Sequence, residues 1–460
     1  METIINQTCE KLNGLFHTFF CENHSLEEAE RFFGEAISEA TVVLLGAYYE
    51  ELDLRLKADK EYRKSEGMTV HKTNVHREEL TSLGTVSFNR TYYHLKDGTY
   101  DYPIDSVAGI VPYQRISKGI SQSLANVAIK HSYMDASKFV TGGMVSKQTV
   151  MNKIRSSKPC RRPAVVRGQV PVLHIDADED HVSLQNRKSD VAVPSITVYE
   201  CVEHTGKRGH CKNAFGISEY GKSSEELWEE VYDEIEKRYD IDHCQIYIHG
   251  DGAAWIKYAV NLFPNSIFVL DPYHKNEHIK KAVSGMEDAD RANFSGMMVN
   301  AFRHDDVHEL MCIQGEMAAT YPERIETILE GTNYLLNNFA AISVYYNDPV
   351  ARNGGATEPH VSHMLSSRLS SRPMGWSEKT LEKIAPILAA GSCYYEPEQK
   401  DIAKTTTRHQ QNKYYCMCDG TTHSFVPNSL GLPHPDIALT DAIFGQADKK
   451  RYSYLTGFWI

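Results

Sequence analysis

No apolar run in the chain approaches the roughly 20 residues that a membrane-spanning helix needs, and the N-terminus lacks the basic-then-apolar form of a secretory signal. A soluble, cytoplasmic protein is therefore expected. Cysteine is sparse: ten residues in 460, standing singly except for Cys416-Met-Cys418. Without a secretory leader they read as reduced thiols and not as a disulfide framework. Cys416 and Cys418 lie near His409 and His423 but match no standard zinc spacing, so buried or edge cysteines are favoured over a metal site. Overall positive charge is missing too. A net charge of −12 argues against a uniformly basic protein that coats DNA. The length exceeds the usual single-domain range, which sets the expectation of two or three domains and a sizeable core.

What is there is unevenly distributed. Residues 1–60 hold twelve acids and five bases, whereas residues 110–170 hold eleven Lys or Arg against the single acid Asp135. Such segregation is the electrostatic footprint of a nucleic-acid contact in an otherwise acidic chain, with a solvated helical face as the alternative. Residues 1–74 carry apolar positions at helical spacing, among them Leu12, Leu15, Phe16 and Phe19, and predict a helical N-terminal region. Residues 75–109 change to period two around Gly84 and Lys96-Asp-Gly98, the pattern of a β-hairpin. Residues 110–169 return to short helices, with Ser146 as an N-cap, and the Thr141-Gly-Gly143 turn suits a helix-turn-helix. Lys147, Gln148, Asn152, Lys153 and Arg155 are the candidates to meet bases or phosphates. Helical hairpins are also common in proteins that bind no DNA. Pro159-Cys-Arg-Arg-Pro163 reads as a linker.

The most informative stretch is Pro171–Leu184, an apolar β-type run that delivers several carboxylates together, Asp176, Asp178 and Asp180 among them. A second apolar run, Cys244–Trp255, carries Asp251, and Glu358 opens a helix-like stretch further on. Three carboxylates on two strands and a helix are what a pair of divalent metals needs. Hard cations take oxygen ligands, and a two-metal site clamps both oxygens of a phosphoryl displacement. The chain thus reads as a phosphoryl-transfer enzyme acting on nucleic acid.

Around these acids the elements follow in a regular order. Strands are predicted at Val170–Asp178, Pro194–Val202 and about Ala214–Tyr220, with Lys207–His210 as a polar turn into the third. A capped amphipathic helix at Ser223–Lys237, a strand at His243–His249, a helix at Ala253–Leu262 and a strand at Asn265–Asp271 complete it. This is the order of a ribonuclease-H-like α/β fold, with residues 170–274 as the first part of the core. Residues 275–350 look helical throughout, so the 107-residue interval from Asp251 to Glu358 is read as containing an all-helical insertion. Residues 351–392 then hold the catalytic helix and 393–460 a C-terminal region. On a 3.6-residue period Glu358, Ser362, Leu365, Leu369 and Arg372 share one face and Arg368 lies off it. Glu358 would point inward, leaving Arg368 and Arg372 for phosphates.

In His174–Val182, His249–Trp255, Asp271-Pro-Tyr-His274 and Gly354–Trp376 the chain resembles bacterial insertion-sequence transposases of the ISLre type, distant relatives of the mutator-like transposases. The last motif is long and specific, and the resemblance covers most of the chain from about residue 75. It implies a DDE transposase whose triad is Asp178, Asp251 and Glu358, holding two Mg²⁺ ions roughly 3.5–4 Å apart, with Mn²⁺ as a substitute. Asp176 and Asp180 compete for the first position. Asp178 is preferred because related transposases place an apolar residue four positions after the acid, as Val182 stands here, and because Asp176 would share its strand face. Asp271 and His274 resemble the aspartate-or-cysteine, two, histidine motif of mutator-type enzymes, which implies a place near the site. The implied partners are double-stranded DNA, as element terminal inverted repeats and as target, and further copies of the chain in a synaptic complex. The alternatives are a DNA-binding descendant that no longer transposes and a ribonuclease-H-like nuclease that cuts without joining. A tyrosine recombinase is disfavoured, since no Arg-His-Arg-Tyr constellation is present.

Overall fold

A computed structural model describes residues 2–161, 163–206, 208–352, 362–372 and 374–396. Glu358, Cys416 and Cys418, all singled out above, lie outside them. The chain divides into two units, one of the residues up to Glu79 with Leu83–Gln114, the other of Leu80–Ser82 with the residues from Arg115. Among the described residues no helix is long and apolar enough to cross a membrane.

In the first unit α1 (Glu2–Phe19) is followed by α2 (Leu26–Ala58). Ser25 starts α2 with a capping box: its hydroxyl accepts from Glu28 N, and the Glu28 carboxylate accepts from Ser25 N. After α3 (Lys60–Ser65) come β1 (Thr69–Thr81), β2 (Gly84–His94) and β3 (Tyr100–Asp101), side by side in that order, and then α4 (Pro103–Val107). The hairpin thus begins at Thr69, ahead of the expected residue 75. The buried Asp53 of α2 joins helix to sheet by accepting from the backbone N–H and hydroxyl of Thr91, at 3.0 and 2.6 Å. Gly46 permits the close approach, since a Cβ there would collide with the Ser87 carbonyl.

The second unit opens with α5 (Lys118–Lys130), α6 (Tyr133–Thr141) and α7 (Lys147–Arg155), which bury Leu124, Ala128, Val150 and Ile154. Each is started by a serine, Ser117, Ser132 and Ser146, whose hydroxyl accepts from the N–H three residues on. The segment read as a linker departs from that reading. Its start lies in β4 (Ser157–Pro159), which pairs antiparallel with the distant Cys393–Tyr395.

The central sheet is built from β5 (Val172–Val182), β6 (Val191–Tyr199), β9 (Phe215–Ile217), β10 (Gln245–Gly250) and β11 (Ser266–Leu270), in the spatial order β11-β10-β5-β6-β9. β10 and β11 run parallel to β5, whereas β6 and β9 are joined antiparallel. Arg208–His210, expected in a polar turn, are strand instead. They belong to a two-stranded hairpin of β7 (Val202–Thr205) and β8 (Arg208–Cys211) that precedes β9. One face of the sheet sets Leu173, Ile175 and Ala177 against Leu227, Trp228, Val231 and Ile235 of α8 (Ser224–Glu236). Burial of each such side chain contributes roughly 1.5–3 kcal/mol.

Between β10 and β11 lies α9 (Ala254–Tyr258). After β11 the chain is helical from Pro272 to Arg352: α10 (Pro272–Ala282), α11 (Asp288–Arg303), α12 (Val307–Thr320), α13 (Ile325–Asn337), α14 (Phe339–Asn347) and α15 (Pro349–Arg352). Met298, Phe302, Leu310, Ile313 and Leu335 form their common core. A π-turn at Ser362–Ser366 runs on into α16 (Ser367–Leu369), followed by α17 (Glu378–Ala390) and β12 (Cys393–Tyr395).

Candidate carboxylate site where β10 ends beside β5

Strand alternation puts His174, Asp176, Asp178 and Asp180 on the face of β5 opposite Ile175 and Ala177. Parallel pairing sets His249 of β10 beside Asp176, and Gly250 stands against the Ala177 carbonyl. Asp251 therefore leaves the sheet at the level of Asp178, where β10 ends while β5 runs on to Val182 against β6. Asp178 and Asp251 are half-buried, and the Asp251 carboxylate accepts from Ala253 N at 2.8 Å. Glu179, not singled out from the sequence, lies on the other face of β5 from Asp178 but feels Asp251. Burial and then the Asp251 charge push its carboxyl above the usual range.

The competing acids occupy different surroundings. Asp176 is 1% exposed and accepts from the Tyr199 hydroxyl at 3.0 Å. Beside it His174 Nδ1 meets His249 Nε2 at 3.1 Å, with His174 stacked between Tyr199 and His249 at 5.3 Å from each ring. Burial pushes His174 down to about 4 and His249 down as well, so both rings are neutral. Asp180 is buried and accepts from Ser366 and Ser370 at 3.0 and 2.8 Å. Burial raises it above the ordinary aspartate value. It ties the segment after residue 361 to the strand that carries Asp178.

The other flank of residues 353–361 is tied to β10. The Tyr247 hydroxyl donates to Asp348 at 2.6 Å, and Asp348 also accepts from Val350 N at the start of α15. Asp271 caps α10 by accepting from Tyr273 N at 2.7 Å, while its own N–H donates to the Gly250 carbonyl at 2.9 Å, next to Asp251. His274 is half-buried on the first turn of that helix, its ring edge against Tyr273. Among the described residues no group of three or more His, Cys, Asp or Glu is set to hold a metal ion.

The expected DNA-facing residues divide into two sets. Lys147, Gln148 and Asn152 of α7 and Arg372 are exposed. Lys153 instead donates to the Tyr395 hydroxyl at 3.0 Å, and Arg155 donates to Thr380 and Ser377 at 2.9 and 2.8 Å. Arg368 is 7% exposed, donates to the Ala128 carbonyl at 3.1 Å and lies over the Tyr133 and Trp376 rings. Its guanidinium holds α5 to α16 and is closed to phosphate, which corrects the expectation for this residue.

The profile of the uncharacterised protein family UPF0236 spans residues 21–395. The chain belongs to UPF0236. A UPF0236 protein of Caldanaerobacter subterraneus subsp. tengcongensis is 33% identical over 394 residues, covering 84% of this chain and 82% of the relative, and its name joins eleven loci. A second from the same organism, named for four loci, is 35% identical over 348 residues, 74% of this chain and 72% of the relative. A UPF0236 protein in the vanSb 3′ region of Streptococcus gallolyticus is 22% identical over 391 residues, 79% of this chain and 82% of the relative.

Proposed function

We propose that this UPF0236 protein is a DDE transposase of an insertion sequence, with a ribonuclease-H-like core, that cuts and joins DNA at Asp178, Asp251 and Glu358. The observation that carries the reading is the register that brings Asp251, just past the end of β10, to the level of Asp178 within the adjacent parallel strand β5, in a five-stranded sheet of order β11-β10-β5-β6-β9. A relative named for eleven loci of one genome fits an element that copies itself. The attachment of both flanks of residues 353–361, through Asp348 to β10 and through Asp180 to β5, fits a third acid supplied from that segment.

The donor set suits Mg²⁺, with Mn²⁺ as substitute: two half-exposed carboxylates offer hard oxygen atoms, and Glu358 would add a third. When bound, the metal would supply an activated nucleophile at neutral pH and stabilise the charge that develops on the phosphate. Asp178 and Asp251 bind and orient. The buried Asp176, with Tyr199 and the neutral His174–His249 pair, supports β5 and β10 beneath them. Duplex DNA would meet the exposed basic face of α5–α7, where Lys138, Lys147, Gln148 and Asn152 are open. The one acid of that window, Asp135, accepts from Ser132 at the start of α6.

Asp178→Asn, Asp251→Asn and Glu358→Gln should each abolish cutting and joining of the DNA ends that flank the gene, in Mg²⁺, while circular dichroism and duplex binding stay close to wild type. Cutting that survives in Asp251→Asn would sink the reading. Cutting without joined products in the wild type would favour a nuclease, and intact binding without cutting a descendant that no longer transposes.

A further inference from the structure

The helices that follow β11 reach back to the strand end that carries Asp251. Tyr334 of α13 donates its hydroxyl to the backbone carbonyl of Asp251. Its ring is fixed by stacking on His278 of α10, at 3.5 Å and 9°. One turn further on, Asn338 accepts from Lys257 of α9 at 2.8 Å and donates to the Tyr334 carbonyl at 2.9 Å. The Asn338 side chain also packs on Gly252, where φ is +91° and a Cβ would stand 2.9 Å from its Oδ1. The turn Asp251–Ala253 is thus held from inside by the Asp251 carboxylate and from outside by α13.

A strand end is a weak place to hold a ligand. The ladder stops at Gly250, and the next peptide has no neighbouring strand to fix it. A metal site needs its carboxylates within about 0.5 Å of the working position. The phenol is a rigid donor, its ring held by the His278 stack and its hydroxyl on the Asp251 carbonyl. We propose that Tyr334 and Asn338 are positioning residues of the candidate site, and that the helical stretch after β11 serves to fix the turn from which Asp251 binds a divalent cation. The proposal rests on the reading of Asp251 as a ligand.

The test is calorimetric titration of the full chain with Mn²⁺, paired with thermal unfolding. Tyr334→Phe keeps the ring and its stack and removes one donor; Asn338→Ala releases Gly252 and Lys257. Gln314→Ala is the control, because Gln314 of α12 bonds Thr332 and Asn333 of α13 without reaching the turn. Both positioning variants should bind Mn²⁺ roughly tenfold more weakly, with the unfolding midpoint of Tyr334→Phe lowered only by the few degrees that one lost hydrogen bond costs and the control like wild type. Wild-type affinity in both variants, with binding lost in Asp251→Asn, overturns the proposal alone. Wild-type affinity in Asp251→Asn overturns the ligand reading and the proposal with it.

Discussion

Asp176 and Asp178 sit two residues apart on one face of β5, yet their surroundings separate their roles. Asp176 is closed in by Tyr199 and the histidine pair, whereas Asp178, past the last β5–β10 pair, is half-buried at the level of Asp251. Asparagine at 176 can still accept from the Tyr199 hydroxyl, so Asp176→Asn should keep most of the cutting activity that Asp178→Asn loses; the reverse order in the same assay would assign the strand acid to Asp176. The histidines give a pH prediction. His174 is pushed down to about 4 by burial, while the unfolded chain takes up protons near 6.5. A base lowered in this way gives stability that is full above about 6.5 and is lost as pH falls toward 4, on the order of 3 kcal/mol for this residue. His174→Gln can still bond His249 but takes up no proton. Urea unfolding between pH 7.5 and 4.5 should therefore show a shallower loss in that variant, and an unchanged slope would refute it. That Asp178 and Asp251 share one level of the sheet was legible in the sequence, because alternation and strand order alone bring them there. Glu179, Tyr199, His249 and Tyr334 were not, since their places depend on register and on helices far along the chain.

At the scale of elements, caps are written in the local sequence, whereas pairings between distant segments are not. Ser146 and Ser223 are visible in the sequence as caps and act as such. No local pattern announces that Ser157–Pro159 will pair with Cys393–Tyr395. The same blindness affected the basic helices, because periodicity fixes which residues share a face but not which face α17 and β12 will cover. Lys153 and Arg155 point into that contact, and Lys147, Gln148 and Asn152 away from it. Reversing Lys138 and Lys147 together should weaken duplex binding and reduce the slope of log affinity against log salt by roughly two, about 0.9 for each phosphate no longer neutralised. Arg155→Ala should leave that slope alone and instead cost roughly 1–3 kcal/mol of stability, as loss of a part-buried donor bonded to two side chains does. Salt-titrated anisotropy with urea unfolding of the same proteins separates the two. A flattened slope in Arg155→Ala would return that residue to the DNA face.

At the scale of the whole molecule, the proposed chemistry sets a demand on stoichiometry. An excised insertion sequence has two ends, and each must meet a set of acids. The chain supplies one candidate set: Asp178 and Asp251, with Glu358 outside the described residues. Two ends worked on in one event therefore need at least two chains, which is the physical reason to expect a homo-oligomer on DNA. Light scattering of Asp251→Asn, which should bind without cutting, tests this. With duplexes from the DNA flanking the gene, the protein part of the complex should reach at least twice the 52.1 kDa of one chain. Salt high enough to release DNA should reverse any assembly that DNA alone brings about. One chain per duplex at saturation, in a preparation whose wild type joins ends, would mean that a single chain handles both ends in turn, and the stoichiometric argument would fail.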